Sequence, residues 1–169
     1  MINIVLYQPE IPQNTGNIIR TCVCTDSALH LIEPLGFSLD ERHLKRAGMD
    51  YIDKVNLHRY ANWESFLEGK DDAKFVFVTR YGQKPFSDFT FDDPSEDIYL
   101  IFGKESTGVP KEILHDHKDH CARLPMVASE RTLNLSNCVA ICTYEVLRQL
   151  DYPGLSRVEV LKGKDWLDD

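Results

Sequence analysis

The sequence lacks the features that mark several common protein classes. No apolar run among its 169 residues approaches the roughly 20 residues that a membrane-spanning helix needs. The N-terminus has no basic leader, so we expect a cytoplasmic protein. Neither the GxGxxG pattern of dinucleotide-binding folds nor the GxxxxGK(S/T) phosphate loop occurs. These absences argue against a membrane protein, a secreted protein and the commonest nucleotide-binding enzymes.

Cysteine is present, but not in the patterns of a disulfide framework or a zinc site. The five cysteines are odd in number, and no pair has CxxC spacing. We therefore expect them in the core, with Cys138 and Cys142 on one buried helix face. The run HDHKDH, 115–120, does not repeat a recognised metal-ligand pattern, which favours a solvated polar loop. We expect no metal in this protein.

The charge balance is acidic, with a formal net charge of −8. A protein that holds nucleic acid mainly through its overall field would be basic, so any such contact needs a local patch. The best candidate is DERHLKRAG, 40–48, where Arg42, Lys45 and Arg46 would share one side of a helix. On these residues alone, a solvated helix face is the simpler interpretation.

Apolar runs and helical patterns alternate along the chain, which indicates a single α/β domain, 1–169, with a mostly parallel sheet and helices on both faces. Several strand-like runs are near-continuous rather than alternating, as expected for strands that are covered on both sides. The predicted strands are 2–7, 29–33, 74–79, 98–102 and a weaker one at 121–126. The predicted helices are 16–25, 40–48, 62–69 and 134–150, with a polar connection at 84–97.

Three polar segments follow predicted strands. In the first, Asn14 or Thr15 is expected to cap the next helix, and Arg20 falls about one turn into that helix. In the second, a loop bracketed by glycines at 103 and 108 holds Glu105. The third leads into the long C-terminal helix and carries more polar side chains than one N-cap needs. Because ligands of parallel sheets bind beyond the carboxyl ends of the strands, we expect a binding edge for a small polar cofactor or a nucleoside.

Together, PQNTGNIIRTC, LIFGKESTGVP and LPMVASERTLNLSNCVAI resemble the three ordered motifs of the SPOUT class of RNA methyltransferases. The resemblance is closest to the short YibK/TrmL-like branch, which consists of the catalytic domain alone, and it covers nearly the whole chain. It implies an α/β fold whose C-terminal part forms a deep trefoil knot. It also implies S-adenosylmethionine as cofactor, a homodimer, and methylation of the ribose 2′-hydroxyl at the wobble nucleotide, position 34, of leucine tRNAs.

The resemblance assigns roles to individual residues. The cofactor would be held by the backbone around three residues and by one hydroxyl: Val78, Gly103, Leu124 and Thr132. The catalytic motif residues would be Asn14, Arg20, Glu105 and Asn134. The basic residues that would line the anticodon stem-loop, once in each protomer, are Arg42, Lys45 and Arg46. Thr132 stands where serine is usual in the family, which keeps the hydroxyl and adds a methyl group.

The implied reaction is a displacement in which a ribose oxygen attacks the methyl carbon of a sulfonium, and it needs no metal. A guanidinium is a poor base because its pKa lies above about 12. We therefore expect Arg20 to fix the ribose or its phosphate and to stabilise the developing alkoxide. The alternatives are an RNA-binding protein without activity on the same scaffold, a 2′-O-methyltransferase of another RNA site, and a small-molecule nucleotide enzyme.

Overall fold

The computed structural model describes residues 1–39, 51–163 and 166. Within them the chain forms seven strands, four α-helices and two 3-10 turns. The strands are β1 (Ile2–Tyr7), β2 (Ala28–Ile32), β3 (Leu57–Tyr60), β4 (Lys74–Val78), β5 (Lys84–Pro85), β6 (Ile98–Gly103) and β7 (Cys121–Arg123). The helices are α1 (Pro12–Cys24), α2 (Trp63–Leu67), α3 (Lys111–Asp116) and α4 (Leu135–Gln149), and the 3-10 turns are Phe86–Asp88 and Lys118–His120.

The described strands form one parallel sheet in the order β3-β2-β1-β6-β4-β7-β5. All six residues of β1 are buried, which explains its unbroken apolar sequence. The register pairs Tyr7 with Gly103, and Phe77 with Cys121. Because the strands are parallel, the loops that follow β1, β6, β4 and β7 leave the sheet at one edge. The predicted α/β fold with a parallel sheet is confirmed.

Of the helices in the described residues, two pack on each face of the sheet. On one face, α1 and α4 pack against apolar side chains of the central strands, including Ile4, Leu6 and Leu100. On the other face, α2 and α3 pack against Val5, Phe77 and other side chains that alternate with the first set. This alternation follows from the two-residue period of a strand. The C-terminal trefoil knot that the SPOUT resemblance implies stays a prediction, because the strand order does not test it.

A buried histidine lies under the second face. The Nε2 of His30 lies 3.0 Å from Asn3 Oδ1, and its Nδ1 lies 2.9 Å from the Tyr60 hydroxyl. Because Asn3 Oδ1 can only accept, Nε2 carries the proton and Nδ1 accepts from Tyr60. Burial, with smaller contributions from His58 and Lys70, lowers the pKa of His30 to about 3. This imidazole is therefore neutral in the folded protein.

Several sequence-based boundaries need correction. Helix α1 begins at Pro12, and its N-cap Ile11 makes no side-chain cap bond. Asn14 and Thr15 therefore lie inside the helix rather than capping it. Strand β3 and helix α3 were not predicted, and β5 falls where a polar connection was expected. Both missed strands are at the edges of the sheet and are partly exposed, so they lack the apolar run of a central strand. The helix predicted at 40–48 falls outside the described residues.

Candidate active site

A cavity of about 640 Å³ opens at the carboxyl edge of the sheet. Its walls come from the loops after β4, β6 and β7, from the start of α1 and from the segment that leads into α4. All four predicted cofactor residues line it, as do three of the four predicted catalytic residues: Val78, Gly103, Leu124, Thr132, Asn14, Glu105 and Asn134. The three motifs, which are up to 120 residues apart along the chain, therefore meet in one cavity.

The carboxylate of Glu105 connects the second motif to the first. Its Oε2 accepts from the backbone N–H of Glu10 at 2.8 Å. Its Oε1 accepts from the backbone N–H of Ile11 at 3.1 Å and from Asn14 Nδ2 at 3.2 Å. The two backbone donors directly precede α1, where a negative charge is also favoured by the helix dipole. Glu105 thus fixes the segment that leads into α1, whose N-cap Ile11 makes no side-chain cap bond.

The amide of Asn14 connects the first motif to the third. Its Oδ1 accepts from Asn134 Nδ2 at 3.0 Å, while its Nδ2 donates to Glu105. The Oδ1 of Asn134 caps α4 by accepting from the N–H of Ser136 at 2.9 Å and of Asn137 at 3.4 Å. One of the polar side chains noted before this helix, Asn134, therefore ties the third motif to the first. Because Asn14 is buried, loss of either hydrogen bond would leave an unsatisfied polar atom and would lower the stability of the fold.

A second pair of contacts joins the same two loops and was not predicted from the sequence. The carboxylate of Glu10 accepts from the backbone N–H and the hydroxyl of Ser106, both at 2.9 Å. These bonds lower the pKa of Glu10 below its ordinary value. Lys104 Nζ also donates to Gln8 Oε1 at 3.1 Å. Glu10 and Glu105 therefore bond each other's loop reciprocally, in a way that no local spacing could reveal.

The backbone of the second motif leaves no room for a side chain at its first glycine. Gly103 has φ +98°, and a Cβ there would lie 2.7 Å from the carbonyl oxygen of Tyr7. Gly82, at the other side of the cavity, would place a Cβ 2.5 Å from the backbone of Ala122. Glycine is therefore required at these two positions, because the segments after β4 and at the end of β6 pass close to the backbone of a neighbouring strand.

The walls of the cavity match the chemistry of S-adenosylmethionine. Apolar side chains from three loops provide a surface for an adenine ring: Val78, Phe102, Leu124, Met126 and Leu133. Gly103 and Gly108 bring the backbone to the wall of the cavity without a side chain, and Thr132 adds a hydroxyl. The volume lies within the range of about 300–1,000 Å³ that is typical of small-molecule sites.

Arg20 is the predicted catalytic residue that does not join this cavity. It is exposed on α1, and its guanidinium lies 4.9 Å from the centre of the Tyr51 ring. Six residues of α-helix place it about 9 Å along the axis from Asn14 and roughly 120° around it. Asn14 and Arg20 therefore face different directions within one chain. The three basic residues of the predicted RNA patch, Arg42, Lys45 and Arg46, lie outside the described residues.

Several histidines and cysteines in the described residues are packed against apolar side chains or buried. Among the described residues, no group of three or more His, Cys, Asp and Glu side chains could hold a metal ion. His117 stacks on Phe77 with ring centres 4.8 Å apart, so part of the run at 115–120 is packed rather than solvated. Cys142 is buried, and burial raises the pKa of its thiol. Cys138 lines the cavity, and burial raises its pKa as well.

Comparison with known proteins decides the family. Residues 1–144 match the model of the SpoU rRNA methylase family. The chain belongs to this family. The match confirms the SPOUT resemblance that the three motifs indicated.

In the described part of the chain, no helix is long and apolar enough to cross a bilayer.

Relatives within the family match almost the full chain. A protein of Geobacillus stearothermophilus is 50% identical over 155 residues, which are 92% of this chain and 99% of that protein. The tRNA (cytidine(34)-2′-O)-methyltransferase of Escherichia coli (strain K12) is 44% identical over 155 residues, 91% of this chain and 97% of that enzyme. A solved structure described under the 2′-OH methylation of C/U34 on tRNA is 41% identical, with a TM-score of 0.80 and coverage of 88% and 95%.

Proposed function

We propose that this SpoU-family protein transfers a methyl group to the ribose 2′-hydroxyl of nucleotide 34 in tRNA, and that leucine tRNAs are its substrates. The observation that carries the activity is the 44% identity, over 91% of the chain, to an enzyme named for cytidine 34. The leucine preference comes from the resemblance to the YibK/TrmL-like branch. We further propose that residues 1–169 act as a single catalytic domain in the cytoplasm, where tRNA is modified.

S-adenosylmethionine supplies a methyl group on a positively charged sulfur, which makes the methyl carbon open to attack by an oxygen. Val78, Gly103 and Leu124 would hold the cofactor through their backbone, and Thr132 through its hydroxyl. Each of these residues lines the cavity. The Glu105–Asn14–Asn134 bonds keep the three loops in register. Holding two reacting groups in line can contribute roughly 7–11 kcal/mol to catalysis. The hydrogen bonds between the motifs would serve this alignment.

Glu105, Asn14 and Asn134 are better described as positioning residues than as acid–base groups. The Glu105 carboxylate already accepts three hydrogen bonds, two of them from the backbone N–H groups of the residues that precede α1. The Asn14 and Asn134 amides have no titratable proton near neutral pH. We propose that the ribose proton leaves to water or to a phosphate.

We propose that the protein acts as a homodimer and that Arg20 completes the partner's site. Arg20 faces away from the cavity of its own chain, and the two helices of this face carry exposed apolar side chains. Ile141 and Tyr144, on α4, are 47% and 50% exposed, and Ile11 at the start of α1 is 43% exposed. Large apolar side chains on a helix face are a common feature of an interface between chains. In this arrangement Arg20 would fix the ribose or its phosphate and stabilise the developing alkoxide.

The direct test uses purified protein, labelled S-adenosylmethionine and unmodified tRNA transcripts. We expect methyl incorporation into leucine tRNA and none into the same tRNA carrying 2′-deoxyribose at nucleotide 34. Other tRNAs with the same nucleotide 34 serve as the specificity control. Tight tRNA binding without methyl incorporation would indicate an RNA-binding protein instead, and incorporation that survives the 2′-deoxy substitution would indicate another RNA site.

Arg20→Lys tests the role of the arginine. Lysine keeps the charge but loses the planar fork that holds two oxygens at once. We expect turnover to fall while tRNA affinity changes little. Full turnover by this variant would contradict the role proposed for Arg20. Mixing Arg20→Lys with a Thr132→Val chain gives a sharper result, because a heterodimer would retain one intact site only if Arg20 acts across the interface.

A further inference from the structure

A second cleft, with a volume of about 940 Å³, opens beside the cofactor cavity. Its walls come from α3, from the loop that carries β5 and from the 3-10 turn before β7. The two spaces share Tyr81, Thr107, Gly108 and Val109 as a common wall. The cleft and the cofactor cavity are therefore separated only by these four residues, and a long ligand could contact both. No residue to which the three motifs assign a role lines this second space.

Lysines outnumber carboxylates among the side chains that line the cleft. Lys84, Lys111 and Lys118 line it together with His115, and Asp119 is the acidic residue among its lining. This contrasts with the chain as a whole, whose net charge is −8. Two further carboxylates of α3 lie close by, Glu112 next to Lys111 in sequence and Asp116, whose Oδ1 lies 3.5 Å from His115 Nδ1. The lining itself therefore has three lysines and one carboxylate, which is an excess of positive charge on an acidic protein.

These lysines are not used to hold the fold. All three are exposed, and within residues 1–39, 51–163 and 166 none of them has an ion pair or a side-chain hydrogen bond. By contrast, Lys74 pairs with Glu96 at 3.1 Å, and Lys104 donates to Gln8. Like charges that are grouped without partners repel one another, so an anionic ligand is what would favour their grouping.

An aromatic ring stands at the boundary between the two spaces. Tyr81 is 68% exposed, although large aromatic side chains are more often covered. The guanidinium of Arg80 lies 5.5 Å from its ring centre, and Arg80 lines the cofactor cavity. An exposed ring beside lysines is the combination that proteins use for single-stranded nucleic acid, because a base stacks on the ring while the cations hold phosphates.

We infer that this cleft binds the nucleotides that flank the target nucleotide in the anticodon loop, with phosphates on Lys84, Lys111 and Lys118 and one base on Tyr81. The inference rests on the proposed function, since the common wall places these contacts next to the nucleotide that enters the cofactor cavity. It concerns other residues than the patch predicted at Arg42, Lys45 and Arg46. An anticodon loop is single-stranded, and its bases are therefore free to stack on protein rings.

The test compares the wild-type protein with a Lys84→Ala, Lys111→Ala, Lys118→Ala triple variant. The measured quantities are the KM for tRNA, the affinity for S-adenosylmethionine, and the dependence of tRNA affinity on salt concentration. Each lost phosphate contact on a single strand reduces the slope of log K against log salt by about 0.7. We expect a higher KM for tRNA, a shallower salt slope and unchanged cofactor affinity.

Arg59→Ala is the matched control. It removes a positive charge from β3, at the opposite edge of the sheet from β5, and its ion pair is with Glu33. We expect this variant to bind tRNA as the wild type does. An equal loss per removed charge in the two variants, which is a loss about three times smaller in Arg59→Ala, would mean that only the total charge matters and would overturn the inference. So would a triple variant with an unaltered KM and salt slope.

An isolated anticodon stem-loop locates the contact on the RNA. We expect the triple variant to lose affinity for the stem-loop by the same factor as for whole tRNA. A loss confined to whole tRNA would place the lysines against another part of the molecule and would overturn the inference. The proposed function is judged separately, because methyl transfer by the wild-type protein to nucleotide 34 is measured before any variant is made.

Discussion

Asn134 carries two functions that a pair of substitutions separates. Its Oδ1 caps α4, and its Nδ2 donates to Asn14 across the cavity. An N-cap contributes about 1 kcal/mol to stability, and a neutral hydrogen bond about 1 kcal/mol. Asn134→Ala removes both, so we expect the free energy of unfolding to fall by about 2 kcal/mol. Asn134→Asp keeps the capping oxygen and adds a charge that the helix N-terminus favours, but it removes the donor to Asn14.

The two variants should therefore rank differently in two assays. Thermal unfolding should give a midpoint lowered by about 4–8 °C for Asn134→Ala, since about 1 kcal/mol corresponds to roughly 2–4 °C in a domain of this size. Asn134→Asp should unfold between Asn134→Ala and the wild type, because it keeps the cap but leaves the buried Asn14 Oδ1 without its donor. Both variants should lose methyl transfer. In Asn134→Asp the reason is that the introduced carboxylate would face Asn14 Oδ1 with no proton between the two oxygens.

Asn137→Ala is the control, because its side chain is exposed and only its backbone N–H bonds to Asn134. We expect this variant to keep both its stability and its activity. Full activity in Asn134→Asp would refute the reasoning, since it would mean that the bond between the first and third motifs has no role in catalysis. A large loss of stability in Asn134→Asp would show that the cap contributes less than the cross-loop bond.

Two further predictions concern the glycine of the second motif and the buried histidine. Gly103→Ala should reduce the free energy of unfolding by more than about 1 kcal/mol in a denaturant titration, because its Cβ meets Tyr7, whereas Gly69→Ala, also at positive φ but in open space, should cost less. The pKa of His30 is about 3 in the folded protein against roughly 6.5 unfolded, so its contribution to stability is complete above pH 6.5 and is lost as the pH falls from there towards 3. From about pH 7.5 to about pH 5 the wild type should lose about 2 kcal/mol more than His30→Gln, and parallel pH profiles would contradict the assigned pKa.

The sequence predicted the centre of this fold better than its periphery. Strand β1 was recognisable because a strand that is buried on both faces must be apolar throughout. The convergence of three motifs followed from the rule that parallel strands end at one edge. Strand β3, with the sequence LHRY, lies at an open edge and carries no such run. The cleft beside the site could not be predicted, because β5 and α3, which form it, were not recognised.

The contacts inside the site were beyond sequence reasoning for a different reason. The partners of Glu105 are backbone N–H groups 94 and 95 residues away, and a backbone group leaves no signature in the sequence. A motif shows that a carboxylate is present but not which atoms it touches. The same applies to Arg20, whose position in the first motif suggested a place beside Asn14, although the helical turn between them directs the two side chains apart.

The three hydrogen bonds that the Glu105 carboxylate already accepts bear on how the methyl transfer proceeds. A sulfonium is a strong methyl donor, and a ribose oxygen that begins to bond to the methyl carbon becomes acidic as it loses electron density. Its proton can then leave late in the step to a weak acceptor such as water or phosphate. A site of this kind needs alignment and a positive group near the developing charge more than it needs a strong base. The carboxylate of Glu105 accordingly ties the second motif to the first, and through Asn14 to the third. In the mechanism that we propose, the oxygen of the substrate is oriented by Arg20 of the partner chain.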